Sequence, residues 1–148
     1  MSQYVLLLIM TVLSFLSMYV FMYSMADTFA NVYPHLNQLY MAGLMTAPMV
    51  LIELVVMRAM YMNRKANIAI FAASLLALGA FFLMIRQQTA IADTQFLKSM
   101  IPHHAGAILM CEKASITDAE VKKLCTGILD GQQNEIAQMK TILKRLEK

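Results

Sequence analysis

Residues 93–113 read DTQFLKSMIPHHAGAILMCEK, and residues 117–148 read TDAEVKKLCTGILDGQQNEIAQMKTILKRLEK. In the second stretch a seam runs through Val121, Cys125, Ile128, Gln132, Glu135, Met139, Ile142 and Leu146, alternating steps of four and three. That is the spacing of a helix packed in a bundle. Thr117 and Glu120 stand at capping-box spacing, so the helix is expected to open there. The first stretch repeats the alternation through Asp93, Leu97, Met100, His104, Ala107, Cys111 and Ala114. Pro102 interrupts it, predicting either a kink or a break into two helices. The pair is expected to form a helical hairpin turning at residues 115–117.

An antiparallel hairpin brings Cys111 level with Cys125. In an oxidising compartment a disulfide is the expected outcome; two buried thiols or two thiolate ligands for a soft metal are the alternatives. With the cysteines level, His104 faces Gln132, Met100 lies near Glu135, and Leu97 faces Met139. His103 adjoins this layer. A bundle core has no packing use for His, Gln and Glu together, since each unpaired buried polar group costs ~1 to 3 kcal/mol. A metal ion would offset that cost, and the donor set Met100, His103, His104, Gln132, Glu135 and Met139 suits copper, Cu(I) ahead of Cu(II), with other transition metals next. The competing reading is a metal-free polar network that holds the register of the bundle.

Before this region the chain changes character. Of 148 residues 59% are hydrophobic and 14% charged, yet only Asp27 and Glu53 among the acids precede position 87. Three apolar stretches, about 4–25, 39–57 and 66–85, are each long enough to cross a ~30 Å hydrocarbon core as a helix. The first lacks the basic start of a secretory signal and is followed by two more spans, so a retained anchor is expected rather than a cleaved leader. The domains read as a membrane part over 1–86, a joint over 87–92 and a metal-binding part over 93–148. Arg58, Arg64 and Lys65 cluster between the second and third spans, which places that linker and the N-terminus in the cytoplasm. The C-terminal part then faces outward, in a bacterium into the periplasm from the inner membrane. The net charge of +3 is spread out and gives no support for nucleic-acid binding.

In the second span Met41, Met45, Met49 and Glu53 follow one another at intervals of four and form one stripe. A thioether path through the membrane is one reading, and an intramembrane acid is a functional candidate by default. Methionine packing is the plainer reading. His35, in the loop before this span, is expected as a solvated histidine or an added ligand.

The run Phe96-Leu97 to Met100-Ile101-Pro102-His103-His104-Ala105-Gly106-Ala107-Ile108, with Met110-Cys111, Gln132, Glu135-Ile136 and Met139, resembles the bacterial domain of unknown function numbered 305. The resemblance implies a ferritin-like helical fold, an extracytoplasmic location, and copper binding linked to copper tolerance. It carries the ligand role onto Met100, His103, His104, Gln132, Glu135 and Met139.

The expected fold is therefore all-α: three transmembrane helices followed by a two-helix ferritin-like hairpin. So small a hairpin has a marginal core by itself. A homo-oligomer completing a four-helix bundle is expected, with the lipid bilayer and a copper-handling protein as further partners. No enzymatic activity is expected, because a ferritin-like oxidase needs Glu-x-x-His motifs that the chain lacks. A membrane protein that oligomerises through a structural His/Gln/Glu layer is the alternative function.

Overall fold

The computed structural model describes residues 2–148, and the described chain is all-helical. The helices are α1 (Gln3–Phe21), α2 (Leu36–Val56), α3 (Arg64–Gln87), α4 (Asp93–Lys113) and α5 (Ala119–Leu146). Short 3-10 turns at Met22–Met25 and Phe29–Asn31 lie between α1 and α2. The chain divides into two compact units, one holding the chain up to Met22 with residues 37–89, the other residues 23–36 with 90–148.

The first unit contains the three helices that are long and apolar enough to cross a membrane. They match the three expected spans to within a few residues at each end. Most of the inward-facing side chains belong to α2, including Ala42, Gly43, Thr46, Ala47, Val50 and Leu54. A β-carbon at Gly43 would meet the edge of the Phe81 ring, so glycine makes room for that side chain on α2. Polar residues of this unit are bonded near the helix ends. The Tyr4 hydroxyl donates to Asn67 Oδ1 (2.8 Å) and accepts from the Asn63 backbone amide (3.0 Å), while Asn67 Nδ2 donates to the Tyr61 carbonyl (2.8 Å). At the other end the Tyr40 hydroxyl donates to the Thr89 carbonyl (2.9 Å). The exterior is crowded with exposed Leu8, Val20, Val55, Val56 and Leu76. An apolar surface of that extent is suited to hydrocarbon rather than water.

α3 ends in a Schellman-type cap. Gln88 adopts left-handed backbone angles (φ 50°, ψ 45°), and the amides of Gln88 and Thr89 reach back to the carbonyls of Ile85 and Met84. Ala90 also has positive φ, at 58°. The expected joint at 87–92 is thus a sharp stop built without glycine.

In the second unit α4 and α5 run antiparallel. Leu97, Ile101, Ala105 and Ile108 of α4 pack against Ile136, Met139 and Leu143 of α5. α4 continues unbroken through Pro102. Asp118, one residue after the expected cap at Thr117, starts α5 by accepting the backbone amides of Glu120 (2.9 Å) and Val121 (3.0 Å). A carboxylate there satisfies two of the free N–H groups and places a negative charge at the positive end of the helix dipole, a charge that a threonine hydroxyl does not carry. Replacing Asp118 with alanine is expected to cost about 1 kcal/mol, measurable as a lower unfolding midpoint of this unit.

The packing phase differs from the expected one. The buried line of α5 runs through Leu129, Ile136, Met139 and Leu143, with half-buried Cys125 and Gln132 in step. Ile128 and Glu135 each lie one residue off it. In α4 the line passes through Ile101, Ala105 and Ile108 rather than Met100, His104 and Ala107. The reason is hydrophobic: this phase buries Ile101, Ile108, Ile136 and Leu143, where the expected one would bury Glu135.

Segment 23–36 is a third layer. Ala26 and Tyr33 join the core of the helix pair, and the Leu36 amide donates to Gln95 Oε1 (2.9 Å). A β-carbon at Gly106 would stand 3.4 Å from the Met25 carbonyl, an ordinary contact distance, so the segment lies directly against α4 at this point.

Candidate functional site

α4 and α5 bring His104 and Glu135 together at the edge of their shared core. His104 is one position before the buried Ala105 and Glu135 one before Ile136, so both side chains lean across the rim. His104 Nε2 stands 2.8 Å from Glu135 Oε2, and His104 Nδ1 is 2.9 Å from the Met100 carbonyl oxygen. The His104 side chain is 11% exposed and that of Glu135 is 56% exposed. His103 is exposed beside them, its ring 6.0 Å from that of His104.

The other expected donors are placed differently. Met139 is buried in the core and Met100 is half-buried against it. Gln132, expected opposite His104, is half-buried, and Glu135 takes its place as the residue that meets the imidazole. The six candidates therefore do not form one buried polar layer. Among the described residues no group of three His, Cys, Asp or Glu side chains is arranged to hold a metal ion. Cys111 and Cys125 form the expected disulfide, with Cα atoms 5.4 Å apart, and are not thiolate ligands.

The bonds of His104 have a chemical consequence. A carbonyl oxygen only accepts, so Nδ1 must carry a proton. In a neutral ring Nε2 is then a lone pair facing a carboxylate oxygen, and two acceptors at 2.8 Å repel unless a cation lies between them. A second proton, making an imidazolium, meets that need. So does a metal ion, because two donors about 2.0 Å from one ion at a right angle are themselves about 2.8 Å apart. A ligand histidine whose other nitrogen donates to a backbone carbonyl is the usual outer-shell arrangement of a metal site. The Met100 carbonyl is the element of this site that sequence reasoning missed, and only the placement of the i and i+4 residues on one helix face could have suggested it.

Residues 79–143, which span the end of α3, the joint, α4 and most of α5, match the family described as Domain of unknown function (DUF305). The likeness extends beyond that domain. An uncharacterized protein of Acanthamoeba polyphaga mimivirus is 32% identical over 140 residues, covering 93% of this chain and 90% of its own length. The chain belongs to the DUF305 family. No solved structure matches it.

Outside the DUF305 domain, Met41 and Met45 are exposed on the outer surface of the first unit and Met49 is half-buried. Glu53 accepts a hydrogen bond from the Tyr61 hydroxyl (3.1 Å). The stripe thus faces largely outward, as packing or lipid-facing methionine would.

His35 is half-buried, with the Tyr23 ring meeting it edge-on at 6.0 Å, not a solvated loop residue. Burial lowers its pKa from 6.5 to about 4. The unfolded chain therefore binds this proton more readily than the folded one. The stability tied to neutral His35 is fully present above pH 6.5 and is lost as pH falls towards 4. For a ring that keeps some solvent contact the effect is about 1–2 kcal/mol. Urea unfolding at pH 7 and pH 4.5 should show a larger loss on acidification for the wild type than for His35→Gln.

Proposed function

We propose that this protein is a membrane-anchored, extracytoplasmic copper-binding protein, in which His104 and Glu135 hold the ion and His103 stands ready to join them. The observation that carries the reading is the contact of His104 Nε2 with Glu135 Oε2, 2.8 Å apart, with Nδ1 already committed to the Met100 carbonyl. The accessible donors are nitrogen and oxygen, while the Met139 thioether is in the core. That set fits Cu(II) better than the expected Cu(I), and zinc is the nearest competitor. Two protein donors leave the coordination incomplete, so solvent or a second copy of the chain supplies the rest. A ferritin-like four-helix bundle made from two such helix pairs would place two edges within one assembly. Binding and buffering of the ion in copper tolerance, or its transfer to a partner protein, follow from an exposed, partly coordinated site better than catalysis does.

Two features support the location. The Cys111–Cys125 disulfide suits an oxidising compartment. Arg58, Arg64 and Lys65 between α2 and α3 suit a cytoplasmic linker, which sends the chain after α3 to the opposite face, the periplasm if the membrane is a bacterial inner membrane.

The second reading, a metal-free imidazolium–carboxylate clasp in a membrane oligomerisation protein, draws on the same bond. An ion pair with so exposed a carboxylate contributes ~0 to 1 kcal/mol. Competition titration of Cu(II) against a chelator, using the full chain in detergent, separates the two. Copper binding predicts at least a tenfold loss of affinity in both His104→Ala and Glu135→Gln. A clasp predicts no such loss, with a small drop in stability instead.

A further inference from the structure

The first unit carries a groove that the metal site does not use. It runs between α1 and α3 across one face of α2, has a volume of about 510 Å³, and is walled by residues such as Thr11, Phe15, Ala47, Ala73, Ala77 and Phe81. Its polar lining is sparse: besides Tyr4 and Ser74 it includes two threonines, of which Thr11 Oγ1 donates to the Leu7 carbonyl (2.8 Å) and Thr46 Oγ1 to the Ala42 carbonyl (2.7 Å). So apolar a wall suits an apolar occupant. We propose that this groove holds one acyl chain of an anionic membrane phospholipid.

Length and width suit an acyl chain. Along α1 the lining runs from Tyr4 to Leu16, roughly 18 Å at 1.5 Å per residue. An acyl chain is one methylene wide and lies along a groove of that length. Its medium is also the right one, since the three helices that form the groove are those suited to hydrocarbon.

Charge decides the head group. The groove ends at Tyr4, whose hydroxyl is bonded to Asn63 and Asn67 at the start of α3. Arg64 and Lys65 adjoin Asn63 and are exposed, Arg58 is exposed on the same linker, and no acidic residue occurs from position 54 to 92. Basic residues clustered where a span leaves the membrane attract anionic lipids, at about 1 kcal/mol per charge. A phosphatidylglycerol head group would meet Arg64 and Lys65 with its chain running up the groove past Ala73 and Ala77.

The test uses the full chain, reconstituted with equal phosphatidylglycerol and phosphatidylcholine, extracted into mild detergent and weighed by native mass spectrometry. One phospholipid per chain should remain, with the anionic lipid favoured at least tenfold. Ala77→Phe, which fills the groove, should lose it while circular dichroism shows unchanged helix content. The pair Arg64→Gln and Lys65→Gln should keep a bound lipid but lose the preference, which reads the head-group contact without altering the groove. The proposal is overturned if Ala77→Phe retains lipid as the wild type does, if the two lipids are retained equally by the wild type, or if free fatty acid is retained in place of phospholipid.

Discussion

Replacing Ile101 with alanine is expected to destabilise the second unit by about 4 kcal/mol. Ile101 is 0% exposed, lies midway along α4, and packs in the cluster formed with Ile136, Met139 and Leu143 of α5. Removing its branched side chain forfeits the transfer energy of three carbons and leaves a cavity that two packed helices cannot close without moving. A core this small supplies only a few kcal/mol of net stability. The loss should therefore leave residues 93–146 largely unfolded while the helices of the first unit persist. Hydrogen exchange on the full chain in detergent checks this region by region. Ile101→Val, which removes one methylene, should cost only about 1 kcal/mol and keep protection. Similar exchange for alanine and valine would show that this core is not what holds the unit together.

The second large effect is that of the disulfide. Cys111 and Cys125 are 14 residues apart, and cross-linking a loop of this length is worth about 3 kcal/mol. The bond lies at the turn end of the helix pair, where α5 offers little apolar burial before Leu129. Without it, that end has Asp118 as a cap and few contacts besides. Cys111→Ser with Cys125→Ser should lower the unfolding midpoint of the unit sharply, and reducing agent should do the same to the wild type and nothing further to the variant. Protease should then cut first between residues 111 and 125. An unchanged midpoint on reduction would contradict the assignment.

Much of this architecture is legible from residues alone. The three spans declare themselves by length and by the absence of charge, and the level cysteines follow from an antiparallel pair with a turn at 115–117. The phase of α5 is not legible in the same way. Two alternations of four and three pass through Cys125, Gln132 and Met139, one continuing to Glu135 and Ile142 and the other to Ile136 and Leu143. They differ by a single residue between shared points. Local spacing cannot choose between them, whereas burial of Ile136 and Leu143 can. That choice moves Glu135 from core to rim, where it meets His104 Nε2 instead of lying in a buried polar layer. Segment 23–36 reads as the end of the first span followed by a loop, because nothing in its spacing reports on a distant helix. Its contacts run through Ala26 and Tyr33, which join the core of the helix pair.

The central claim is that His104 Nε2 and Glu135 share a metal ion rather than a proton. Electron paramagnetic resonance of the full chain with one equivalent of Cu(II) tests it most directly. The account predicts a single copper species with coupling to imidazole nitrogen, which disappears in His104→Ala and shifts in Glu135→Gln while the disulfide and helix content stay intact. A copper spectrum identical in the wild type and His104→Ala would contradict it.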